Sequence, residues 1–275
     1  MSLSVILPAH DEADYLGPCL AALLASDLAG AEVIVIANAC RDATAEVARR
    51  FAADFAAKGW RLEVIETATG GKLNALNLGD AAARFGPRAY LDADVVVSPP
   101  LLSQIAAALD TGTPRYASGT PQVAAADNGV TRAYGRFWAT LPFFATGVPG
   151  FGLYAVNAAG RQRWGAFPDI VSDDTFVRLS FAPAERVRVP ATYSWPMVEG
   201  FANLVRVRRR QDRGVAEIAR LFPALPANDD KAAVGVRGLV TRLLRDPAGF
   251  AVYAAVGAAV RLPPRGGREG WVRGR

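Results

Sequence analysis

The sequence predicts an α/β fold: a doubly wound, mostly parallel sheet with helices on both faces, followed by a C-terminal helical extension. Three observations predict it. Apolar runs alternate with helically spaced segments over roughly the first ninety residues, which is the pattern of successive βαβ units. Most of the runs are predominantly apolar, as strands covered on both faces are. From about residue 200 the alternation gives way to helical spacing alone.

The elements follow in order. Leu3-Ser4-Val5-Ile6-Leu7, ended by Pro8, reads as a buried strand. Leu16 to Leu28 has helical spacing, and Glu32-Val33-Ile34-Val35-Ile36 is a second buried strand. Asp42 and Thr44 stand where a helix N-cap belongs, before an Ala-rich helix running toward Lys58. Arg61 to Glu66 alternates and reads as a third strand. Gly70-Gly71 breaks the chain, Lys72 to Phe85 is helical, and Ala89-Tyr90-Leu91 is a fourth strand ending at Asp92. Beyond residue 110 the pattern loosens. A Gly-rich turn, Gly147 to Gly152, precedes a strand at Leu153 to Val156, and Ser172-Asp173-Asp174 lies at a plausible helix start. Helices are expected at 200–222, about 231–245 and 248–262, and residues 263–275, rich in Pro, Gly and Arg, read as a disordered basic tail.

Composition narrows the chemistry. With 51% hydrophobic and 21% charged residues the chain is of ordinary globular type. It holds one histidine, His10, and two cysteines, Cys19 and Cys40, too few for a zinc finger or a His-rich metal site. Reactions must therefore run mainly on carboxylates, hydroxyls, Lys and Arg. The N-terminus lacks a basic, apolar leader, and no apolar run approaches the ~20 residues that span a bilayer. A cytoplasmic protein, peripheral on the inner face of the cell membrane, is the expectation.

Charge is uneven. Residues 1–94 are net −5, residues 95–199 net +1, and residues 200–275, with 15 Lys and Arg against 6 Asp and Glu, net +9. Such a basic segment is either a solvated helical face or a surface for an anionic partner. Nucleic acid is not expected, because no zinc finger, helix-turn-helix or stacking aromatic set accompanies the arginines of 206–213. Phe250, Val252, Tyr253, Val256 and Val260, flanked by Arg242, Arg245 and Arg261, suit a helix lying on an anionic membrane, or equally one packed on the body of the protein.

Ligands of open α/β sheets sit beyond the carboxyl ends of the strands. The residues there carry no G-x-G-x-x-G and no Walker A loop, so a dinucleotide fold is excluded. The fourth strand ends in Asp92-Ala93-Asp94, whose carboxylates can flank one cation. Mg²⁺ and Mn²⁺ prefer such oxygen ligands, often completed by substrate phosphates.

Four segments then come in one order: Pro8-Ala9-His10-Asp11-Glu12, Asn38 to Thr44, Lys72-Leu73-Asn74-Ala75-Leu76-Asn77, and Leu91-Asp92-Ala93-Asp94. Together they resemble the family 2 glycosyltransferases of GT-A fold, over about residues 3–215. That family has Pro-x-x-Asn-Glu after its first strand, an Asn/Asp-Gly-Ser-x-Asp-x-Thr turn after its second, a Lys-x-x-Ala-Leu-Asn helix start and an Asp-x-Asp. The resemblance implies a GT-A domain at 1–215, with a nucleotide-sugar donor half at 1–98 and an acceptor half at 99–215. Residues 216–262 form the helical extension.

The resemblance also implies roles. Pro8, His10, Glu12, Asn38 and Asp42 would lie near the donor base and ribose. Lys72 would approach the nucleotide or its phosphates, Asp92 the ribose, and Asp94, with Asp92, a Mn²⁺ or Mg²⁺ ion on the diphosphate. Gly150, Phe151 and Gly152, with Trp195, would line the acceptor side. Asp173 and Asp174 look like the family's Glu-Asp pair, with Asp174 at the base position. Arg208 and Arg210 are candidates for the diphosphate. The sequence departs from the family at Asp11, where the motif has Asn, at Ala37, at Ala39 and Cys40 in place of Gly and Ser, and in the late Gln-x-x-Arg-Trp motif, of which only Arg210 matches. That last departure, with the lack of spanning helices, implies a non-processive enzyme.

The implied reaction is inverting, metal-dependent, hexosyltransferase-like transfer from a nucleotide-diphosphate-sugar to a hydroxyl of a saccharide or lipid-linked acceptor. With the only histidine placed by the donor, a carboxylate is the natural general base, and repulsion between adjacent Asp173 and Asp174 would raise the pKa of one of them. The competing readings are a sugar-phosphate nucleotidyltransferase, which would want a Gly-rich loop after strand one, and a non-catalytic nucleotide-sugar-binding scaffold.

Overall fold

A computed structural model describes residues 2–263, and the basic tail expected at 263–275 falls outside them save for its first residue. Eight strands form one sheet: β1 (Leu3–Ala9), β2 (Ala31–Asn38), β3 (Arg61–Thr67), β4 (Arg88–Leu91), β5 (Val96–Val97), β6 (Tyr116–Val123), β7 (Leu153–Val156) and β8 (Arg186–Trp195). Between and after them run α1 (Ala13–Leu24), α2 (Thr44–Arg50), α3 (Ala52–Ala57), α4 (Lys72–Ala82), α5 (Leu101–Leu109), α6 (Gly129–Trp138), α7 (Pro142–Ala145), α8 (Ala158–Arg161), α9 (Asp173–Leu179), α10 (Phe201–Leu221), α11 (Val236–Arg245) and α12 (Pro247–Arg261).

The strand order is β3-β2-β1-β4-β7-β6-β8-β5. The first four strands pair in parallel, with Leu3 opposite Ala31 and Val5 opposite Ala89. The strand–helix alternation of residues 1–94 therefore becomes parallel sheet, as expected. Beyond β4 the pairing reverses. β7 runs antiparallel to both β4 and β6, and β5 antiparallel to β8, in contrast to the half that the alternation marked.

The chain divides into two units. Unit one takes in the chain up to Gln122 with Val148–Trp195, and holds the sheet and its flanking helices. Its core joins Leu3, Val5 and Leu7 of β1, Val33 and Val35 of β2, Leu16, Leu20 and Leu23 of α1, and Leu101, Leu102 and Ile105 of α5, all fully buried. On the other face α4 lies unusually close to the sheet. A Cβ on Gly79 would stand 2.4 Å from Ile6 Cγ2 and 2.9 Å from Ile36 Cδ1, so only glycine admits the helix there. This close seat fixes where the helix start, Lys72, meets the strand tips.

Buried polar groups tie unit one together. Asp80 of α4 accepts from Arg88 (2.7 Å) and Tyr90 (2.8 Å) through one oxygen and from Arg161 (2.7 and 3.0 Å) through the other. Glu32, 1% exposed, accepts from Ser4 (2.7 Å), the Arg84 amide (2.6 Å) and Arg61 (2.9 Å). Both acids are fully engaged, as buried carboxylates must be.

Unit two takes in Val123–Gly147 and the chain from Pro196 onward. Tyr134 of α6, Leu204 and Val205 of α10 and Val256 of α12 form its core. Tyr253 packs on Phe137 (4.9 Å between centroids) and Tyr134 (5.3 Å). Asp246 caps α12 at its start, accepting from the Gly249 amide (2.9 Å), and Arg209 caps its end, donating to the carbonyls of Ala259 (2.8 Å) and Leu262 (2.7 Å). The helix expected at 200–222 is α10, a single unbroken helix whose apolar side covers α12, and the boundary at 215 that the resemblance implied falls inside it. Among the described residues no helix is long and apolar enough to cross a membrane.

Candidate functional site

The loops after β1, β2, β3 and β4 converge at the carboxyl edge of the parallel half. Asn38, at the tip of β2, organises them. Its amide donates to the Ala9 carbonyl (2.7 Å), and its side-chain oxygen accepts from the Gly71 amide (3.0 Å). One buried side chain thus joins the ends of β1 and β2 to the turn that starts α4. Gly71 has φ +118, a conformation that glycine supplies without strain.

Asp42 has a similar task. It accepts from the Ala13 amide (3.1 Å), the Thr44 amide (3.0 Å) and the Thr44 hydroxyl, while Thr44 Oγ1 accepts from the Glu12 amide (2.8 Å). The starts of α1 and α2 are locked to each other. Burial alone would raise the Asp42 carboxyl, but the Thr44 and Ala13 hydrogen bonds outweigh it and hold the group below its ordinary value. Sequence reading gave Asn38 and Asp42 to the donor; within the protein both have a positioning task.

His10 Nδ1 lies 2.7 Å from the Asn38 carbonyl, and a carbonyl only accepts, so this ring nitrogen carries the proton. Asp11 has φ +51 and Ala39 φ +50. Asn and Asp tolerate this left-handed conformation, which explains how Asp11 can stand where the family pattern has Asn. Ala39 tolerates it less well, at a position where the pattern has Gly. His10, Asp11 and Cys40 bring ligand-type atoms within 4.8 Å of one another, a mixed nitrogen, oxygen and sulfur set unlike the all-carboxylate pair at β4. Pro8 continues β1, opposite Ile36.

The acids meet at Lys72. Its Nζ lies 2.9 Å from Asp92 Oδ1 and 3.2 Å from Asp173 Oδ1. The end of β4, the start of α4 and the start of α9 therefore share one ionic cluster. Burial would lower the Lys72 pKa, but the Asp173 and Asp92 carboxylates raise it well above its ordinary value. Asp173, whose side chain is 6% exposed, also accepts from the Tyr154 hydroxyl (3.0 Å). Tyr154 sits directly opposite Tyr90 across the β4–β7 pair and stacks on it at 4.9 Å. Asp174 accepts from the Thr175 amide (2.6 Å). Burial, and then the charge of Asp173, push its carboxyl above the ordinary range, with Lys72 opposing.

The Gly-rich turn joins the same cluster. The Asp92 amide donates to the Gly152 carbonyl (2.9 Å). Gly150 and Gly152 have φ +75 and +74, and a Cβ would fall 1.7 Å from the Tyr116 hydroxyl at the first and 2.6 Å from Trp195 Cδ1 at the second. Phe151 and Trp195 rings pack at 4.9 Å, and the Phe151 carbonyl accepts from Tyr193 (2.9 Å). The structure thus brings Lys72, Asp92, Asp173, Gly152, Phe151 and Trp195 into one neighbourhood of unit one, with Asp94 one residue beyond Ala93 at the same strand end.

Arg208 and Arg210 belong to unit two. Arg208 donates to Tyr134 (3.4 Å), Tyr253 (3.5 Å) and Asp212 (3.3 Å), a structural engagement; Arg210 is half-buried on α10. Sequence reading missed Tyr154, Tyr116 and Asp80. A tyrosine inside an apolar strand carries no sign of which acid it will meet.

The donor set at the end of β4 fits a hard divalent cation. Asp92 and Asp94 offer carboxylate oxygens on half-buried residues, and Mg²⁺ or Mn²⁺ takes few protein ligands when phosphate oxygens complete the shell.

A parallel half-sheet with acids at its strand tips, continued by an antiparallel half that carries a second acid pair to the same place, is the architecture of the GT-A glycosyltransferases. Solved structures of this fold superpose on the chain. The mannosyltransferase PcManGT from Pyrobaculum calidifontis, in complex with GDP-Man and Mn²⁺, gives a TM-score of 0.61 at 22% identity over 95% of this chain and 76% of that one. S. aureus TarS 1–349 in complex with UDP gives 0.56 at 16% over 95% and 91%. Glucosyl-3-phosphoglycerate synthase from Mycobacterium tuberculosis, in complex with Mg²⁺ and UDP, gives 0.51 at 17% over 80% and 78%. The chain belongs to glycosyltransferase family 2: the profile described as Glycosyl transferase family 2 matches residues 4–164. Over 103 residues it is 29% identical to the uncharacterized glycosyltransferase EpsJ of Bacillus subtilis (strain 168), a match spanning 38% of this chain and 29% of that protein.

Proposed function

We propose that the protein transfers a sugar from a nucleotide-diphosphate-sugar to an acceptor hydroxyl with inversion, using a divalent cation at Asp92 and Asp94 and Asp174 as general base. The observation that carries this reading is the Lys72 bridge, which makes one site of the Asp92 and Asp173 carboxylates. Family membership and the GDP-Man, UDP, Mn²⁺ and Mg²⁺ bound by the structural neighbours support it.

In this reading the turns after β1 and β2, with Pro8, His10 and Glu12, receive the nucleoside, and Asn38 and Asp42 hold those turns in shape. Lys72 faces the diphosphate. Mn²⁺ or Mg²⁺ supplies electrostatic stabilisation of the departing diphosphate. Asp174 takes the proton of the acceptor hydroxyl as its oxygen bonds to the anomeric carbon, and the bond from that carbon to the diphosphate breaks on the opposite face. An α-linked donor then gives a β-linked product. Burial and the Asp173 charge, which hold Asp174 above the usual carboxylate range, make it a stronger base than a free aspartate. Gly150 to Gly152 and Trp195 border the acceptor. The acceptor is a saccharide or a lipid-linked alcohol, and the net charge of +9 over residues 200–275 supports work at an anionic membrane surface.

The test is a thermal-shift panel of nucleoside diphosphates with and without Mn²⁺, followed by transfer assays on the stabilising donor. Stabilisation by one nucleotide, enhanced by the cation, is expected by mass action. Asp174→Asn should keep that stabilisation and lose transfer. A variant that transfers at the parent rate would remove the base assignment.

A further inference from the structure

In unit two, α11 is built the wrong way round for a packed helix. At about 100° per residue, Val236, Leu239, Val240, Leu243 and Leu244 occupy one arc of roughly 140°, and Arg237, Gly238, Thr241, Arg242 and Arg245 occupy the rest. A surface helix normally turns such an apolar arc toward the core. Here none of its residues is buried: Val236 and Leu244 are each 78% exposed and Val240 is 48% exposed. The polar side is the attached one. Arg242, half-buried, donates to the Thr140 carbonyl (2.8 Å) and lies 3.2 Å from the Thr140 hydroxyl, and Gly238 beside it is also half-covered.

The neighbouring helix behaves oppositely. In α12 Val256 is fully buried, and Phe250 and Tyr253 pack on Phe137. The segment whose composition suggested an interfacial helix is thus a core helix, and the uncovered apolar face belongs to the helix before it.

We propose that α11 is the membrane-docking element of the protein. Its apolar arc inserts among the headgroups of an anionic bilayer, with Arg237 at the rim of the inserted face. Charge selects this occupant. The helix itself, Val236–Arg245, contains Arg237, Arg242 and Arg245 and no acid, so it complements an anionic lipid surface. A second copy would set the arginines of two such helices against each other. The inference rests on the reading that the protein works at a membrane, and not on the identity of its donor or on Asp174.

The experiment is co-sedimentation of the full chain with vesicles of phosphatidylcholine alone, or with about one-third phosphatidylglycerol, at low and moderate salt. Binding to the anionic vesicles, weakened by salt, is expected for the parent. The double variant Val240→Glu, Leu244→Glu should lose about tenfold or more in partitioning, since it places two acids in the inserted face. Both side chains are exposed, so its circular dichroism melt and its stabilisation by nucleoside diphosphate with Mn²⁺ should match the parent. Parent-like vesicle binding by this folded variant overturns the assignment to α11 while leaving membrane binding intact. Failure of the parent to bind anionic vesicles at low salt overturns the membrane reading itself. A lipid-free dimer in sedimentation velocity that the variant abolishes assigns the face to a second copy and overturns the proposal equally.

Discussion

Lys72 Nζ stands 3.2 Å from Asp173 Oδ1, an ion pair between the first residue of α4 and the first residue of α9. Two features converge to make it. Gly79 lets α4 sink against Ile6 and Ile36, which fixes the height of its N-terminus, and the Tyr154 hydroxyl holds the far oxygen of Asp173. The lysine thereby joins the acid that ends β4 to the acids that begin α9, and every reading of the site as a single reaction centre passes through it.

Lys72→Met should consequently cost more than a surface lysine would. The substitution leaves Asp92 and the almost buried Asp173 without their shared cation, which is the costly way to break a partly buried ion pair. If Lys72 also faces the departing diphosphate, transfer should fall by about 10²–10³-fold. Steady-state kinetics with a melting curve separates the two effects. A lowered melting temperature with unchanged kcat/KM would confine Lys72 to structure.

The pH profile gives a test of Asp174. Burial and the Asp173 charge raise its carboxyl, so the deprotonated base is lost on acidification sooner than from an ordinary aspartate. The acid limb of kcat/KM should therefore lie above the usual aspartate range of about 4. Asp173→Asn removes a like charge and should move the limb of the residual activity to lower pH. A limb unmoved by Asp173→Asn would mean that another group titrates.

Much of this was legible in the sequence, and the limits are physical. Continuous apolar runs read as buried strands because a parallel sheet leaves no wet face, so β1, β2 and β4 were recognisable within a residue or two at each end. Asp92 and Asp94 were visible because they close such a run. β5, β6 and β8 were not, since Val96–Val97 is two residues long and β8 mixes Arg, Pro and Thr into its pattern. The Asn38 and Asp42 networks were hidden for another reason. Polar residues at strand tips look alike whether they face a ligand or a neighbouring loop, and only the position of Ala9, Gly71 and Ala13 distinguishes the two. In the C-terminal helices, composition marked α12 as the interfacial candidate because it is the more apolar, whereas burial follows which face meets α6 and α10.

Gly150 offers a double-mutant cycle. Its φ of +75 already disfavours a side chain, and an added Cβ would lie 1.7 Å from the Tyr116 hydroxyl, so Gly150→Ala should destabilise by about 2 kcal/mol or more through strain and overlap. Tyr116 is fully buried, and its hydroxyl has no hydrogen-bond partner among the described residues, so Tyr116→Phe alone should cost little. Combined, the two should be less harmful than their sum, because removing the hydroxyl removes the severest overlap and leaves the backbone strain with the tight approaches of Tyr116 Cζ (3.0 Å) and Tyr154 Cβ (3.2 Å). Additive melting data would mean that the turn moves away from Tyr116 instead of pressing against it.

Ala39 is the position where a stabilising change is expected. Its φ of +50 is left-handed, and its Cβ pushes against the following carbonyl at a cost of roughly 1–2 kcal/mol. Glycine removes that strain but adds unfolded-state freedom, which costs about 0.4–1 kcal/mol. The first figure exceeds the second, so Ala39→Gly should raise stability by roughly 0.5–1 kcal/mol. Its amide bond to the Thr67 carbonyl (2.7 Å) is unaffected by the change, and the turn beside Asn38 keeps its shape. Denaturant unfolding at neutral pH reads the difference. A loss of stability in Ala39→Gly would show that the methyl group contributes packing worth more than the strain it creates.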